Sequence, residues 1–230
     1  MTVASIDRVV RTRDALFGAL DDAPSVDLSF LPRAPGDGGW AGAPDLLRFL
    51  HALVAHLQPR HVLEFGSGMS TAVLAHAAAE LEDCAVTSVD HDPKFVDETR
   101  DLVRDPVSLQ LAPLVARVHA GRLGPSYLVD TALFASSRPA DLVLVDGPPQ
   151  ALGGRATMLP QALDYAQCGS VLLFDDADRE GERDALESWQ ELLGEAVEAH
   201  RPAGFTRGLA ALILVAPRTA QIRLNPARPA

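Results

Sequence analysis

Val62-Leu63-Glu64-Phe65-Gly66-Ser67-Gly68-Met69-Ser70-Thr71 is an apolar run that ends in a carboxylate and passes through Gly-x-Gly into a helix-forming segment. In doubly wound folds, a strand feeding such a turn and then a helix brings backbone N–H groups close to a ligand. Gly66 permits the tight turn, and Gly68 removes a Cβ where the ligand approaches. A dinucleotide-binding turn places a third glycine at position 71, and here that position is Thr71. Glu64 is a second departure. Its charge repels a pyrophosphate and attracts a cationic amino acid.

On either side of this turn the pattern alternates. Apolar runs recur as HVLEF at 61–65, CAVTSVD at 84–90, VARVH at 115–119, DLVLVD at 141–146 and SVLLFDD at 170–176. Helical periodicity separates them near 70–82, 93–104, 155–167 and 180–193. Strands apolar on both faces and alternating with helices predict a parallel sheet covered by helices. A last pair, near 196–200 and 209–215, has a short link containing Pro202 and Gly204, which suits an antiparallel hairpin. Ahead of the sheet, Ile6, Val9, Val10, Leu16, Phe17 and Leu20 predict a helix over 4–20 with one apolar stripe. A Pro/Gly-rich loop over 32–44 carries Trp40, and Pro44 opens a second helix. The expected organisation is a helix and lid segment over 1–43, an α/β domain over 44–217 and a tail over 218–230.

The 230 residues suffice for one sizeable α/β domain. With 47% hydrophobic and 22% charged residues the composition is that of a soluble globular protein. Acidic residues outnumber basic ones 31 to 20, a formal net charge of −11, which argues against nucleic acid or anionic membrane as partner and leaves room for a cation site. Cys84 and Cys168 are far apart in apolar surroundings and match no metal spacing, as expected of reduced thiols. The first 22 residues lack the apolar core of a signal peptide, and no stretch reaches the ~18–20 apolar residues of a membrane span. A cytoplasmic protein is expected. The stripe of the first helix is a candidate surface for a homodimer.

Further candidate residues sit at other strand ends. Asp90 lies 24 positions after Gly66, where a carboxylate accepts hydrogen bonds from ribose hydroxyls. It could equally cap the helix opening at Pro93. His91 follows, placed to lie against a base or in a solvated loop. Asp146 leads into Gly147-Pro148-Pro149, and Asp175 and Asp176 precede Ala177-Asp178-Arg179. Three carboxylates at strand C-termini repel one another unless a cation or proton is shared, and such oxygen ligands suit Mg²⁺, Mn²⁺ or Ca²⁺. Neighbours in a regular strand face opposite sides, so Asp175 and Asp176 reach one ion only where the strand frays. The other reading makes one of these aspartates a helix N-cap and another a partner of Arg155 or Arg179.

Together these segments resemble the class I S-adenosylmethionine-dependent methyltransferases over residues 44–216. The resemblance implies a seven-stranded sheet ending in an antiparallel hairpin and S-adenosylmethionine (SAM) as cofactor. Carried over, Glu64 sits by the methionine amine, Gly66, Ser67 and Gly68 line the cofactor backbone, and Ser70 and Thr71 meet its carboxylate. Asp90 holds the ribose, His91 lies on the adenine, and the loop near His119 and Ala120 passes the base. The runs VDGPP, Gly154-Arg155, FDDADREGE and Trp189 are similar to a bacterial branch near the catechol and caffeoyl-CoA O-methyltransferases. Those enzymes set Asp and Asp-Asn or Asp-Asp around a divalent ion, which maps onto Asp146, Asp175 and Asp176. They also use a lysine base just past the first aspartate. This chain has Gly147 to Gln150 there, and Lys94 is its sole lysine. The implied reaction is methylation of a hydroxyl on a small molecule, with a metal ion or Asp146 itself activating the acceptor. A catalytically idle cofactor-binding protein of the same fold is the rival expectation.

Overall fold

The computed structural model describes residues 2–32, 42–119, 122–130 and 138–216; of His119 and Arg122 only the backbone is described. Two helices, α1 (Val3–Asp22) and α2 (Pro44–Leu57), precede β1 (His61–Phe65), α3 (Met69–Ala79), β2 (Ala85–Asp90), α4 (Pro93–Leu102) and β3 (Ser108–Leu111). A hairpin of β4 (Leu114–His119) and β5 (Arg122–Tyr127) follows. The chain then forms β6 (Ala140–Val145), α5 (Met158–Tyr165), β7 (Ala166–Asp175), α6 (Glu180–Leu193), β8 (Val197–His200) and β9 (Leu209–Leu214).

Seven strands form one sheet in the order β3-β2-β1-β6-β7-β9-β8. All pairs are parallel except β7–β9 and β9–β8. The expected doubly wound sheet with a terminal antiparallel hairpin is therefore present. Both faces are buried, which is why its strands read as unbroken apolar runs. Val62, Leu142, Leu144, Val171 and Leu173 pack on the side of α1, α2 and α3. The residues between them, Leu63, Val143, Val145, Leu172 and Phe174, pack on the side of α5 and α6.

One strand assignment is corrected. VARVH at 115–119 is not a parallel strand of the main sheet; it pairs antiparallel with Arg122–Tyr127 in a separate two-stranded hairpin. The sheet edge is instead Ser108–Leu111, whose Thr87↔Ser108 register continues β2. That edge strand is four residues long and alternates polar with apolar side chains, so it lacks the two-faced signal of its neighbours. The strand before the Asp pair also starts earlier than expected, at Ala166, and the helix ahead of it is confined to Met158–Tyr165.

The stripe of α1 is divided as well. Val9 and Leu16 are buried, whereas Ile6, Val10 and Phe17 are exposed. Thr12 fixes the helix to the sheet by donating to the Gly169 carbonyl at 2.6 Å, and Arg13 pairs with Glu198. The loop around Trp40, Ala120 with the His119 side chain, and the tail after 217 lie outside the described residues. Among the described residues no helix is long and apolar enough to cross a membrane.

Candidate active site

The strand ends β1, β2, β6 and β7 open onto a cavity of about 450 Å³. Ser67, Asp90 and His91 line one half of it, and Asp146, Arg155 and Asp176 the other. Gly66 lies between the halves at φ +102°, a conformation that L side chains rarely adopt. A Cβ there would come within 2.9 Å of the Gly147 nitrogen. At Gly68 a Cβ would meet nothing within 4 Å, so this side of the turn is open for a ligand.

Asp90 is 5% exposed and both its oxygens are anchored. The Ser67 amide donates to Oδ2 and the Asp92 amide to Oδ1, each at 2.8 Å. The carboxylate is thus fixed at the cavity wall with lone pairs left for further donors. It does not cap α4; Asp92 does, accepting from the Lys94 amide. His91 has Nδ1 3.2 Å from Asp90 Oδ1.

Glu64, Ser70 and Thr71 are buried beneath the turn rather than at its surface. Ser88 donates to Glu64 Oε2 at 2.6 Å, and Thr71 donates to the same oxygen while accepting from the Gly68 amide. This carboxylate therefore ties the glycine turn to β2. Burial pushes its pKa up to about 7, against the opposing pull of the Ser70, Ser88 and Thr71 hydroxyls. Oε1 is left without a hydrogen bond of full geometry.

The aspartates at the other end come together. Asp146, Asp175 and Asp176 offer oxygens all within 4.8 Å of one another. The strand constraint on adjacent residues is relieved by Asp176, whose φ of +59° turns the backbone into the left-handed region just past β7. Within the cluster sits Arg155, 4% exposed. Its Nη2 donates to Asp146 Oδ1 at 2.9 Å and Asp176 Oδ2 at 3.0 Å, and its Nη1 donates to the Asp175 carbonyl. Arg179 reaches Asp176 Oδ2 at 2.8 Å. Both arginine pairings raised by the sequence are thus present.

They do not balance the cluster. Asp146, Asp175, Asp176 and the buried Glu182 face the guanidiniums of Arg155, Arg179 and Arg207, one fewer than the carboxyls, and Asp176 Oδ1 is buried without a hydrogen-bond partner. Burial raises Asp146 to about 6, opposed by Arg155 and reinforced by Asp176. It raises Asp175 to about 7, reinforced by Asp146 and Asp176. A residual excess of negative charge with an orphaned carboxylate oxygen fits a hard divalent cation.

These shifts set a pH dependence. Raised carboxylates keep protons in the folded chain that the unfolded chain has already released near pH 4. Stability present below that window is lost as pH rises through about 7, where Glu64 and Asp175 ionise inside the protein. His51 and His61, which burial pushes down, contribute chiefly below pH 6.5. Thermal melts in chelator should therefore show the melting temperature falling from pH 6.5 to 8.5, and Glu64→Gln should flatten the slope. A melting temperature rising across that range would contradict the assignment.

No sequence motif marks Tyr127. It projects from β5 into the cavity, with its ring 5.5 Å from Phe65 and edge-on to His91 at 6.2 Å. Its backbone is clamped at both polar groups: its N–H donates to Gln161 Oε1 at 2.9 Å, and Gln161 Nε2 donates to its carbonyl at 2.7 Å. Burial and the nearby Asp90 hold the phenol well above its ordinary pKa, so it remains a neutral hydroxyl.

Residues 63–177 match the family model described as a methyltransferase domain. No curated protein matches the sequence. The fold is similar to the SAH-bound methyltransferase PaMTH1 of Podospora anserina, at 15% identity over 87% of this chain and 88% of that one, with a TM-score of 0.57. It is similar to an O-methyltransferase from Bacillus cereus in complex with SAH, at 19% identity, 87% and 90% coverage and a TM-score of 0.56. A third likeness is TomG of Streptomyces achromogenes, an O-methyltransferase involved in tomaymycin synthesis and solved with SAM, at 18% identity, 88% and 90% coverage and a TM-score of 0.50.

Proposed function

Because this chain belongs to the family of methyltransferase domains, we propose that it transfers a methyl group from SAM to a hydroxyl oxygen of a small molecule. The observation that supports this reading is the single cavity running from Asp90 over the Gly66 turn to Asp146. Its lining joins Asp90 and His91 to Asp146 and Arg155 in one space.

In this reading the free lone pairs of Asp90 take the ribose hydroxyls, and His91 flanks the adenine. Gly66, Ser67 and Gly68 form the bed of the methionine portion. Ser70 and Thr71 act from beneath by fixing the turn, and Glu64, whose pKa burial raises to about 7, favours the cofactor's ammonium once ionised. The sulfonium carries the activation, so the protein aligns the acceptor oxygen in line with the methyl group and excludes water. As the O–C bond forms, the S–C bond breaks and S-adenosylhomocysteine (SAH) leaves. Asp146, a quarter exposed to the cavity with its pKa near 6, stands where a proton released by the acceptor can be taken up. Asp146, Asp175 and Asp176 would hold a divalent ion, whose positive charge would lower the pKa of an acceptor hydroxyl. The Arg155 contacts favour a second reading, in which the guanidinium is the fixed cation and Asp146 works as base without an ion.

Calorimetric titration with SAH should give a dissociation constant in the micromolar range. Asp90→Ala should weaken it by about 1–3 kcal/mol, through loss of hydrogen bonds to a charged acceptor. Preference for NAD over SAH would refute the cofactor assignment. SAH binding with no conversion of SAM, tested across hydroxylated acceptors, would identify a cofactor-binding protein instead of an enzyme.

A further inference from the structure

The Tyr127 hydroxyl is a buried polar group with no use in the fold. The residue is 1% exposed, and its oxygen has no hydrogen-bond partner among the described residues. An unsatisfied buried hydroxyl destabilises the fold, and phenylalanine would give the same ring contacts to Phe65 and His91 without that cost. The residue is nevertheless anchored through its backbone by Gln161, and its ring packs on Phe65. Its position is defined from both sides: a Cβ on Gly147 would collide with the hydroxyl, and Gly147 itself abuts Gly66. The oxygen therefore lies beside Gly147, where the ends of β1 and β6 meet, and Tyr127 is one of the residues that line the cavity.

We propose that Tyr127 is a cofactor-binding residue whose hydroxyl accepts a hydrogen bond from the ammonium of the methionine portion of SAM. The assignment rests on the SAM-binding reading above. A cofactor with its ribose on Asp90, at the end of β2, and its sulfur directed toward Asp146, at the end of β6, lays its amino-acid portion over the Gly66–Gly147 contact. A phenolic oxygen with free lone pairs, near the carboxyl groups of Glu64 and Asp146, is suited to an ammonium donor.

The test compares two ligands. SAH carries the amino-acid portion, and 5′-methylthioadenosine has the same nucleoside and sulfur without it. Tyr127→Phe should raise the dissociation constant of SAH about tenfold and leave that of 5′-methylthioadenosine within twofold. The melting temperature of the ligand-free variant should not fall, because the lost hydroxyl bonds nothing in the fold. Unchanged SAH affinity, or equal weakening of both ligands, would overturn the proposal. A wild-type protein that binds neither ligand would refute the SAM-binding reading itself, and that arm is read first. Should the variant fold poorly, 3-fluorotyrosine labelling of the wild type gives a second measure, since the chain has only two tyrosines. SAH should shift the Tyr127 fluorine signal and 5′-methylthioadenosine should not; equal shifts would also overturn the proposal.

Discussion

Asp146→Asn is expected to lower methyl transfer by two or more orders of magnitude while SAH affinity stays within about threefold, roughly 0.7 kcal/mol. The substitution keeps the shape of the side chain and removes its capacity to take a proton or to bind a cation strongly. Asp146 lies across the Gly66 turn from Asp90, so under the proposed function the loss falls on turnover rather than on nucleoside binding. The companion measurement separates the two acceptor-activation schemes. If the three aspartates hold an ion, Asp175→Asn is also severe, chelator abolishes activity and Mg²⁺ or Mn²⁺ restores it. With Asp146 acting alone, Asp175→Asn is mild and metal-stripped enzyme keeps full activity. An Asp146→Asn enzyme with wild-type turnover would remove the residue from the chemistry altogether.

The second large effect is on the fold. Arg155→Met should cost about 3–5 kcal/mol of unfolding free energy, because removing one partner from a buried ionic cluster leaves uncompensated charge. For a chain of this size that corresponds to a fall in melting temperature of roughly 6–20 °C. Asp146, Asp176 and Glu182 all lie within 4.0 Å of this guanidinium. The loss should be larger at pH 8 than at pH 6, since protonation of the raised carboxylates relieves their repulsion. Divalent cations should return part of the lost stability if the aspartates form an ion site. Urea unfolding of both proteins at the two pH values, with and without Mg²⁺, measures every term. A loss under 1 kcal/mol at pH 8 would show that the cluster does not depend on Arg155.

The doubly wound sheet was legible because burial on both faces writes itself as continuous apolar runs, and Gly66-x-Gly68 marks where the first run turns. The edge strand Ser108–Leu111 was not, since half its side chains face outward and only one flank pairs. VARVH imitated a buried strand by composition, yet Val118 is 66% exposed. At the site, the residue types at strand ends were legible, but their depth was not. Glu64 reads as a ligand contact in one dimension and lies under the turn in three, because its alternation places it with Thr71 and Ser88. The convergence of Asp175 and Asp176 depends on one left-handed backbone angle that no spacing rule carries. Arg155 was visible only as one of two possible partners, and Tyr127 belongs to a hairpin with no sequence signature.

The contact between Gly66 and Gly147 bears on how this scaffold can diversify. Two loops touch backbone to backbone: a side chain on Gly66 would drive into Gly147, and one on Gly147 into the Tyr127 hydroxyl. No single substitution can reshape that floor, and a change in one loop has no compensating change in the other. Gln150, Ala151 and Leu152 also line the cavity, but they are exposed and sit on a short turn of their own. Mutations accumulate there at little cost to folding. The geometry thus divides the cavity wall into a constrained part around Gly66 and Gly147 and a freer part over Gln150, Ala151 and Leu152; if the proposed function holds, acceptor range can change while the cofactor bed stays fixed.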